Sequence, residues 1–321
     1  MNARRFKHIY GPVPSRRLGR SLGIDLIPFK TCTYDCIYCH LGRTTHKTLE
    51  RKQYVEIQVI LSELSQALAN PDAFDYISLA GSGEPTLNSG IGSLIEKIKS
   101  MTNHPVAVLT NGSLLWMRDI QDALLQADLI LPSLDVGDNS LFQYVNRPHE
   151  NISFEQIVDG LTGFSNRYKG EIWLEVLLLA GVTSVREESE KIASILRHMR
   201  LTRIQLDTVV RPPAEVYAKP VSRNRMPILK EIFQGKVDII SDIKPGNWHT
   251  LSGTDPAGSD VLSLLSRRPC TSADIAHSLG LHQSEALKYL DALVTTGKVT
   301  TVFMSQKTFY TTKGSNDVLR S

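Results

Sequence analysis

Short apolar runs rich in β-branched residues alternate along most of the chain with longer stretches in which apolar residues recur every three or four positions. The runs Leu22–Ile27, Tyr76–Ala80, Val106–Thr110, Leu129–Leu134, Ile172–Leu179 and Ile204–Val210 read as strands. Ile57, Ile60, Leu61, Leu64 and Leu68 share one face of a helix, as do Ile91, Leu94, Ile95 and Ile98. The same period recurs in Phe154, Ile157, Val158, Leu161 and Phe164, and again in Ile192, Ile195, Leu196 and Met199. Strand–helix alternation repeated about six times implies parallel strands joined by right-handed crossovers. Six units are fewer than the eight of a closed barrel, so the pattern predicts an α/β fold with an open or partial (β/α)6 barrel. Ligands of such a sheet gather at the carboxyl ends of its strands, and the polar departures from the apolar pattern fall there.

After Ile240 the pattern changes. Residues 241–258 are rich in Gly, Pro, Ser and Asp and read as a linker, dividing a barrel (1–240) from a smaller unit (259–321). That unit shows helical patterns near Asp260–Ser266, Thr271–Leu279 and Gln283–Thr295, then a two-strand pattern across Lys298–Thr311. It resembles a winged helix, with Thr271 as a helix cap, Gly280 in the turn and Gly297 opening the wing. The would-be recognition helix Gln283–Thr295 offsets Lys288 with Glu285 and Asp291 and has no arginine, which disfavours sequence-specific DNA reading. Docking of a macromolecular substrate or a protein fits it better, plain packing being the alternative; Arg267, Arg268, Lys298, Lys307 and Lys313 are its candidate phosphate contacts.

The composition, 41% apolar and 21% charged over 321 residues, is that of an ordinary globular chain, and the net charge of +3 is no nucleic-acid footprint. Arg16, Arg17, Arg20, Lys30, Arg43, Lys47, Arg51 and Lys52 surround the cysteines as either a solvated rim or a docking surface for an anionic partner. No stretch approaches the ~20 apolar residues of a membrane span. The basic amino terminus has no apolar run behind it, as a secretory signal would. Of four cysteines, three lie within eight residues, a pattern that fits a reducing, cytoplasmic setting.

Those three, Cys32, Cys36 and Cys39, stand in the string KTCTYDCIYCHLG directly after the first predicted strand. Their spacing on a loop lets three thiolates converge on one centre, as a cuboidal iron–sulfur cluster requires. Three ligands for four irons leave one iron open to chelation by the amino and carboxylate groups of a bound amino acid. Zinc is the alternative, with His40 or His46 completing a Cys3His set.

Cys-x3-Cys-x2-Cys with the aromatic Tyr38 before the last cysteine resembles the hallmark of the radical S-adenosylmethionine (SAM) superfamily, whose cofactors are a [4Fe–4S] cluster and SAM. The later strand ends resemble it in the same order. GSGEPTL is similar to the superfamily's Gly-Gly-Glu region, with Ser82 in place of the first glycine of the usual pair; Gly83 and Glu84 are thereby implied to face the SAM amino group. Thr110 and Asn111 of LTNGS are implied contacts of the methionyl part, and Ser133 and Asp135 of PSLDVGD of the ribose hydroxyls. Glu175, an isolated carboxylate on the fifth strand, is implied to meet SAM or substrate.

The strings YGPVPSRRLGRSLGIDL, VNRPHENISFEQIVDGL and IQLDTVVRPPAE are similar, over roughly residues 8–240, to radical SAM proteins related to the wybutosine-synthesising enzymes that modify a guanine in transfer RNA. Those enzymes carry additional amino-terminal cysteines for a second cluster; here only Cys270 remains, in the appended unit. Asp207 and Arg211 bracket the end of the sixth strand and are candidate catalytic residues, with Arg211 suited to a substrate phosphate or carboxylate; a structural ion pair is the alternative. Arg16 and Arg17 precede the first strand and read as surface charges on the opposite face, unless the segment wraps round. The resemblance implies that a low-potential donor, flavodoxin or ferredoxin, reduces the cluster. SAM is then cleaved to methionine and a 5′-deoxyadenosyl radical, which takes a hydrogen atom from the substrate. Three functions are compatible with the sequence: an enzyme acting on RNA or protein delivered by the winged helix, an activase installing a glycyl radical on a partner enzyme, and a zinc-bearing regulator whose winged helix reads DNA.

Overall fold

Proline at positions 12 and 14 hides a strand that the apolar pattern does not reveal. β1 (Ile9–Ser15) and β2 (Gly19–Ile24) form an antiparallel hairpin, and β1 tolerates its prolines because it is the edge of the sheet. The computed structural model describes residues 6–69, 74–240 and 258–312; the expected linker, apart from Gly258, and Lys313 lie outside them. From β2 onward every neighbour in the sheet is parallel: β5 (Tyr76–Leu79), β6 (Val106–Leu109), β7 (Leu129–Leu131), β8 (Glu171–Leu178), β9 (Arg203–Thr208) and β10 (Val237–Ile239). The sheet thus has eight strands in the order β1-β2-β5-β6-β7-β8-β9-β10, two more than the six expected. β10 leaves no pattern in the sequence because three residues carry too little periodicity. The two-residue strands β3 (Thr31–Cys32) and β4 (His46–Lys47) pair with each other and clasp the cysteine loop.

Helices α1 (Ile57–Ala67), α2 (Ile91–Met101), α5 (Phe154–Arg167) and α6 (Arg186–Leu196) carry the periodic apolar sets. α5 is fixed at its start by a Ser153–Gln156 capping box. α3 (Arg118–Leu124) and α7 (Met226–Lys230) are too short for the period to show. α4 (Asn139–Leu141) runs on into a π-turn over Phe142–Asn146.

Alternation along the strands sends Ile24, Ile77, Leu79, Val108, Ile130, Leu174 and Leu206 outward into the core shared with the helices. The opposite face carries a different set. Leu18, from the β1–β2 turn, packs with Ala107, Leu129, Leu131 and Trp173 as an apolar floor, while Glu175, Gln205 and Asp207 follow on the same face toward the strand ends. The sheet curls so far that Arg16 donates to Asp207 on β9 and to the Ile240 carbonyl beyond β10 (3.3 Å), linking the two ends of the strand order.

The appended unit consists of α8 (Gly258–Arg267), α9 (Ser272–Leu279), α10 (Gln283–Thr295) and the antiparallel hairpin β11 (Val299–Met304) and β12 (Lys307–Thr312). A Thr271–Asp274 capping box opens α9, and Gly280, in the left-handed region at φ 65°, closes it. Val261, Leu265, Ile275, Ala286, Leu290 and the buried Cys270 make a core of its own. Cys270 is therefore a packing residue, bridged through its backbone to Tyr310.

Candidate functional site

The cysteine loop leaves β2 and is anchored on three sides. Glu84 donates its backbone N–H to the Thr31 carbonyl (3.2 Å), and Lys30 donates to Ser82 (2.7 Å), so the GSGEP segment lies as a strap along the loop. An added Cβ on Gly83 would stand 1.7 Å from the Thr31 oxygen, which makes glycine obligatory there. Asp35 and Ile37 donate to the carbonyls of Asn146 and Val145 in the π-turn.

Glu84 is 1% exposed, and its carboxylate ties the strap to the segment after β6. Its Oε1 accepts from the Thr86 N–H (3.1 Å), the Thr86 hydroxyl (2.5 Å) and the Thr110 hydroxyl (2.6 Å), and its Oε2 accepts from the Asn111 N–H (2.7 Å). Burial still pushes this carboxyl up. Only Oε2 keeps room for a second donor, such as the ammonium that the resemblance implies. Thr110 is likewise engaged inside the protein, whereas Asn111 turns its amide to the Cys32 sulfur (3.5 Å) and the Thr33 hydroxyl (2.8 Å).

Asp135 is a second buried brace. Its Oδ1 accepts from the Leu177 N–H (2.9 Å), and its Oδ2 accepts from the Tyr38 hydroxyl and the Asn146 amide (3.1 Å). Tyr38 is thus a link from the cysteine loop to β8. Ser133, beside it, is half-buried, with no hydrogen bond to its hydroxyl among the described residues. Asn146 was not singled out in the sequence, yet its amide reaches the Cys36 sulfur (3.6 Å), the Tyr38 hydroxyl and Asp135. The VNRP string held it, but only the π-turn shows where it points.

Cys32, Cys36 and Cys39 are unbridged and half-buried. Burial pushes all three thiols up, Cys32 to about 12, and for Cys36 the neighbouring Cys39 and Cys32 add to the rise. A thiolate set in this position calls for a cationic core, and two of its sulfurs have amide donors aimed at them. The donor set fits a [4Fe–4S] cluster with one iron left open.

Arg16 and Arg17 depart from expectation. They sit in the β1–β2 turn but point into the curl of the sheet and are not surface charges. Arg16 forks onto Asp207 at 3.1 and 2.9 Å, and Arg17 bridges Asp207 (3.2 Å) and Glu175 (2.6 Å). Burial pushes the Glu175 carboxyl up, with Arg17 opposing. Asp207 and Arg211 are not partners of each other. Arg211 instead reaches the appended unit, at the Pro269 carbonyl (2.7 Å) and Asp274 (3.1 Å).

The expected basic rim is largely neutralised within the chain: Arg20 pairs with Asp75, Arg43 with Glu215, Arg51 with Asp119 and Lys52 with Glu50, while Lys30 is buried. Arg267, a candidate phosphate contact, lies over the Tyr10 ring (4.3 Å) and pairs with Asp25 (3.2 Å). That same Asp25 holds Ser82 of the strap, through the N–H (3.1 Å) and the hydroxyl (2.5 Å). The appended unit therefore rests on the site. Its α8 end and the cysteine loop line one crevice, shared by Phe29, His40, Leu41, Leu265, Arg268 and Pro269. His40 is exposed at the rim of this crevice.

The radical SAM superfamily profile matches residues 26–203, spanning the strap, both carboxylate braces and all three cysteines of the loop. The chain is 32% identical over 308 residues to a UPF0026 protein of Methanocaldococcus jannaschii, covering 94% of each, and 31% identical to one of Helicobacter pylori, covering 94% and 96%. It is 39% identical over 299 residues to a Brachyspira hyodysenteriae protein named GTPase Obg, but spans only 43% of that relative's length. In fold it is similar to a radical SAM methyltransferase from Sphaerobacter thermophilus (TM-score 0.53, 17% identity, covering 68% and 65% of the two chains). It is also similar to anSMEcpe with bound AdoMet (TM-score 0.51, 15% identity, covering 68% and 63%). The chain belongs to the radical SAM superfamily and, within it, groups with the UPF0026 proteins.

Proposed function

We propose that this protein is an enzyme that holds a [4Fe–4S] cluster on Cys32, Cys36 and Cys39, binds SAM beside it, and abstracts hydrogen from a substrate seated in the curl of the sheet. The observation that carries the reading is the loop itself: three unbridged cysteines at the carboxyl end of β2, with amides aimed at two of the sulfurs. When bound, the cluster supplies the electron that cleaves SAM to methionine and a 5′-deoxyadenosyl radical. Asn111 and Asn146 stabilise negative charge on sulfur, while Glu84 and Asp135 hold the loops that meet SAM. Gly83 lets the strap lie close to the loop, and Glu84 Oε2 offers an acceptor to an ammonium group. The apolar floor of Leu18, Leu129, Leu131 and Trp173 excludes water below the reacting atoms.

A low-potential donor, flavodoxin or ferredoxin, supplies the electron, and a cytoplasmic setting follows from that need. Among the described residues no helix is long and apolar enough to cross a membrane. The appended unit, read as a winged helix, closes the mouth of the site and presents a macromolecular substrate, RNA or protein, to it. Kinship with the wybutosine-synthesising enzymes rests on the three strings quoted above, and it makes a nucleotide in RNA the first substrate to try.

The test uses protein purified and reconstituted without oxygen, assayed for iron, sulfide, zinc and 5′-deoxyadenosine formed from SAM with dithionite. About four irons per chain and nucleoside release, both lost in Cys36→Ala, are expected. Stoichiometric zinc with no SAM cleavage would overturn the proposal.

A further inference from the structure

The strap departs from the superfamily's pattern at Ser82, where glycine is usual, and the fold gives that departure a partner. Ser82 donates its N–H to Asp25 Oδ1 (3.1 Å) and its hydroxyl to Asp25 Oδ2 (2.5 Å). Asp25 is the first residue after β2, and the strap lies flush on it: an added Cβ on Gly81 would stand 2.5 Å from its carboxyl carbon. Just before, the Ala80 carbonyl accepts from the Tyr10 hydroxyl (3.4 Å). Both supports lie under one guanidinium group, that of Arg267, the last residue of α8. It donates to Asp25 Oδ2 (3.2 Å) and to the Lys7 carbonyl (3.4 Å), and it covers the Tyr10 ring at 4.3 Å. Among the described residues Arg267 is the only cation in an ion pair with Asp25, whose carboxylate is buried.

We propose that Arg267, Asp25 and Ser82 form a positioning relay through which docking of the appended unit sets the strap for SAM. The inference rests on the proposed function, because Gly83 and Glu84, the next two residues of the strap, are the ones that meet SAM there. With Arg267 in place, the Asp25 charge is answered and both of its oxygens stay turned to Ser82. Without it a buried carboxylate is left uncompensated. It then takes up a proton or turns toward water, and either change weakens its hold on Ser82. Gly83 lies against the Thr31 oxygen with no slack, so a shift at Ser82 is passed on to Glu84 and to the acceptor it offers an ammonium group. A glycine at position 82 would keep the N–H bond and lose that of the hydroxyl, which makes the relay a property of this chain. Docking and SAM binding are thereby linked, and by reciprocity SAM holds the appended unit as strongly as the unit favours SAM.

Hydrogen exchange, read by mass spectrometry on the reconstituted full chain without SAM, tests this together with steady-state SAM cleavage. In Arg267→Ala the amides of Gly81–Glu84 should exchange about fivefold faster, while those of α5 keep their wild-type rates. The KM for SAM should rise about fivefold with kcat little changed. Arg267→Lys should recover part of both effects. In an Asp25→Asn background Arg267→Ala should add little, because the charge it answers is gone. Unchanged exchange in the strap, or equal acceleration in the strap and α5, would overturn the relay, as would a fall in kcat at constant KM. If the wild-type chain cleaves no SAM, the radical reading fails and the exchange rates still decide the relay. Cleavage with one KM in every variant leaves the radical reading standing and removes the relay.

Discussion

At the scale of single residues, the polar groups nearest the cysteines act mainly on one another. Glu84 and Asp135, which the resemblance implies as SAM contacts, are both buried carboxylates whose oxygens accept from backbone and side-chain donors on two or three segments. Such a group is costly to bury and more costly to remove, because each donor would be left unsatisfied. Asn111 behaves differently, since one of its two amide contacts is the sulfur of a proposed cluster ligand, Cys32, at 3.5 Å. A donor to sulfur favours the more negative, reduced state. Asn111→Ala should therefore lower the cluster's midpoint potential, by roughly 40 mV if about 1 kcal/mol is lost in a one-electron couple. A redox titration that finds the two potentials equal within about 10 mV would remove this role.

At the scale of elements, the strap and the π-turn decide where the cysteine loop lies. The strap needs Gly83, because no side chain fits 1.7 Å from the Thr31 oxygen. Gly83→Ala should push strap and loop apart and cost about 3 kcal/mol, read as a lower urea midpoint. Gly163 gives the contrast. It lies within α5 with nothing within 4 Å of an added Cβ, so Gly163→Ala should be neutral or stabilising by up to ~1 kcal/mol. The π-turn places the Val145 and Asn146 carbonyls opposite Asp35 and Ile37, and the extra residue in the turn is what brings the Asn146 amide to Cys36. Strand spacing forecast loops at these positions; it carried no information about which loop would lean on which.

At the scale of the whole molecule, the appended unit is held by Arg267 on Asp25 and Tyr10 and by Arg211 on Asp274 and Pro269. Burial raises the Asp274 carboxyl, but Arg211 and the Thr271 N–H outweigh it and hold it below its usual range. A carboxyl depressed in the folded state contributes stability that is complete above its unfolded value, ~4, and is lost as pH falls through the folded one. Docking should thus be unchanged from about pH 7 to pH 5 and weaken below about pH 4. Glu84, Asp135 and Glu175 are shifted upward and give the opposite slope, so the comparison must be with Arg211→Ala. That variant should show a lower urea midpoint at neutral pH and a smaller further loss on acidification. Parallel pH profiles for the two proteins would mean that Arg211 does not set the Asp274 carboxyl.

The sequence by itself determined the six central strands, the four longer helices of the barrel, the cysteine triplet and the ordered polar residues at successive strand ends. All of these are local: they follow from a period of two or of about 3.6, or from spacing within one loop. Tertiary structure alone decided the pairings between distant segments. Arg16 and Arg17 look like solvated charges beside a predicted strand until the sheet curls and brings Asp207 within reach, 191 and 190 residues along the chain. Arg211 and Asp207, neighbours at one strand end, are drawn to different segments, the appended unit and the β1–β2 turn. No local pattern can express this, because which charges meet depends on how the sheet closes and what rests upon it.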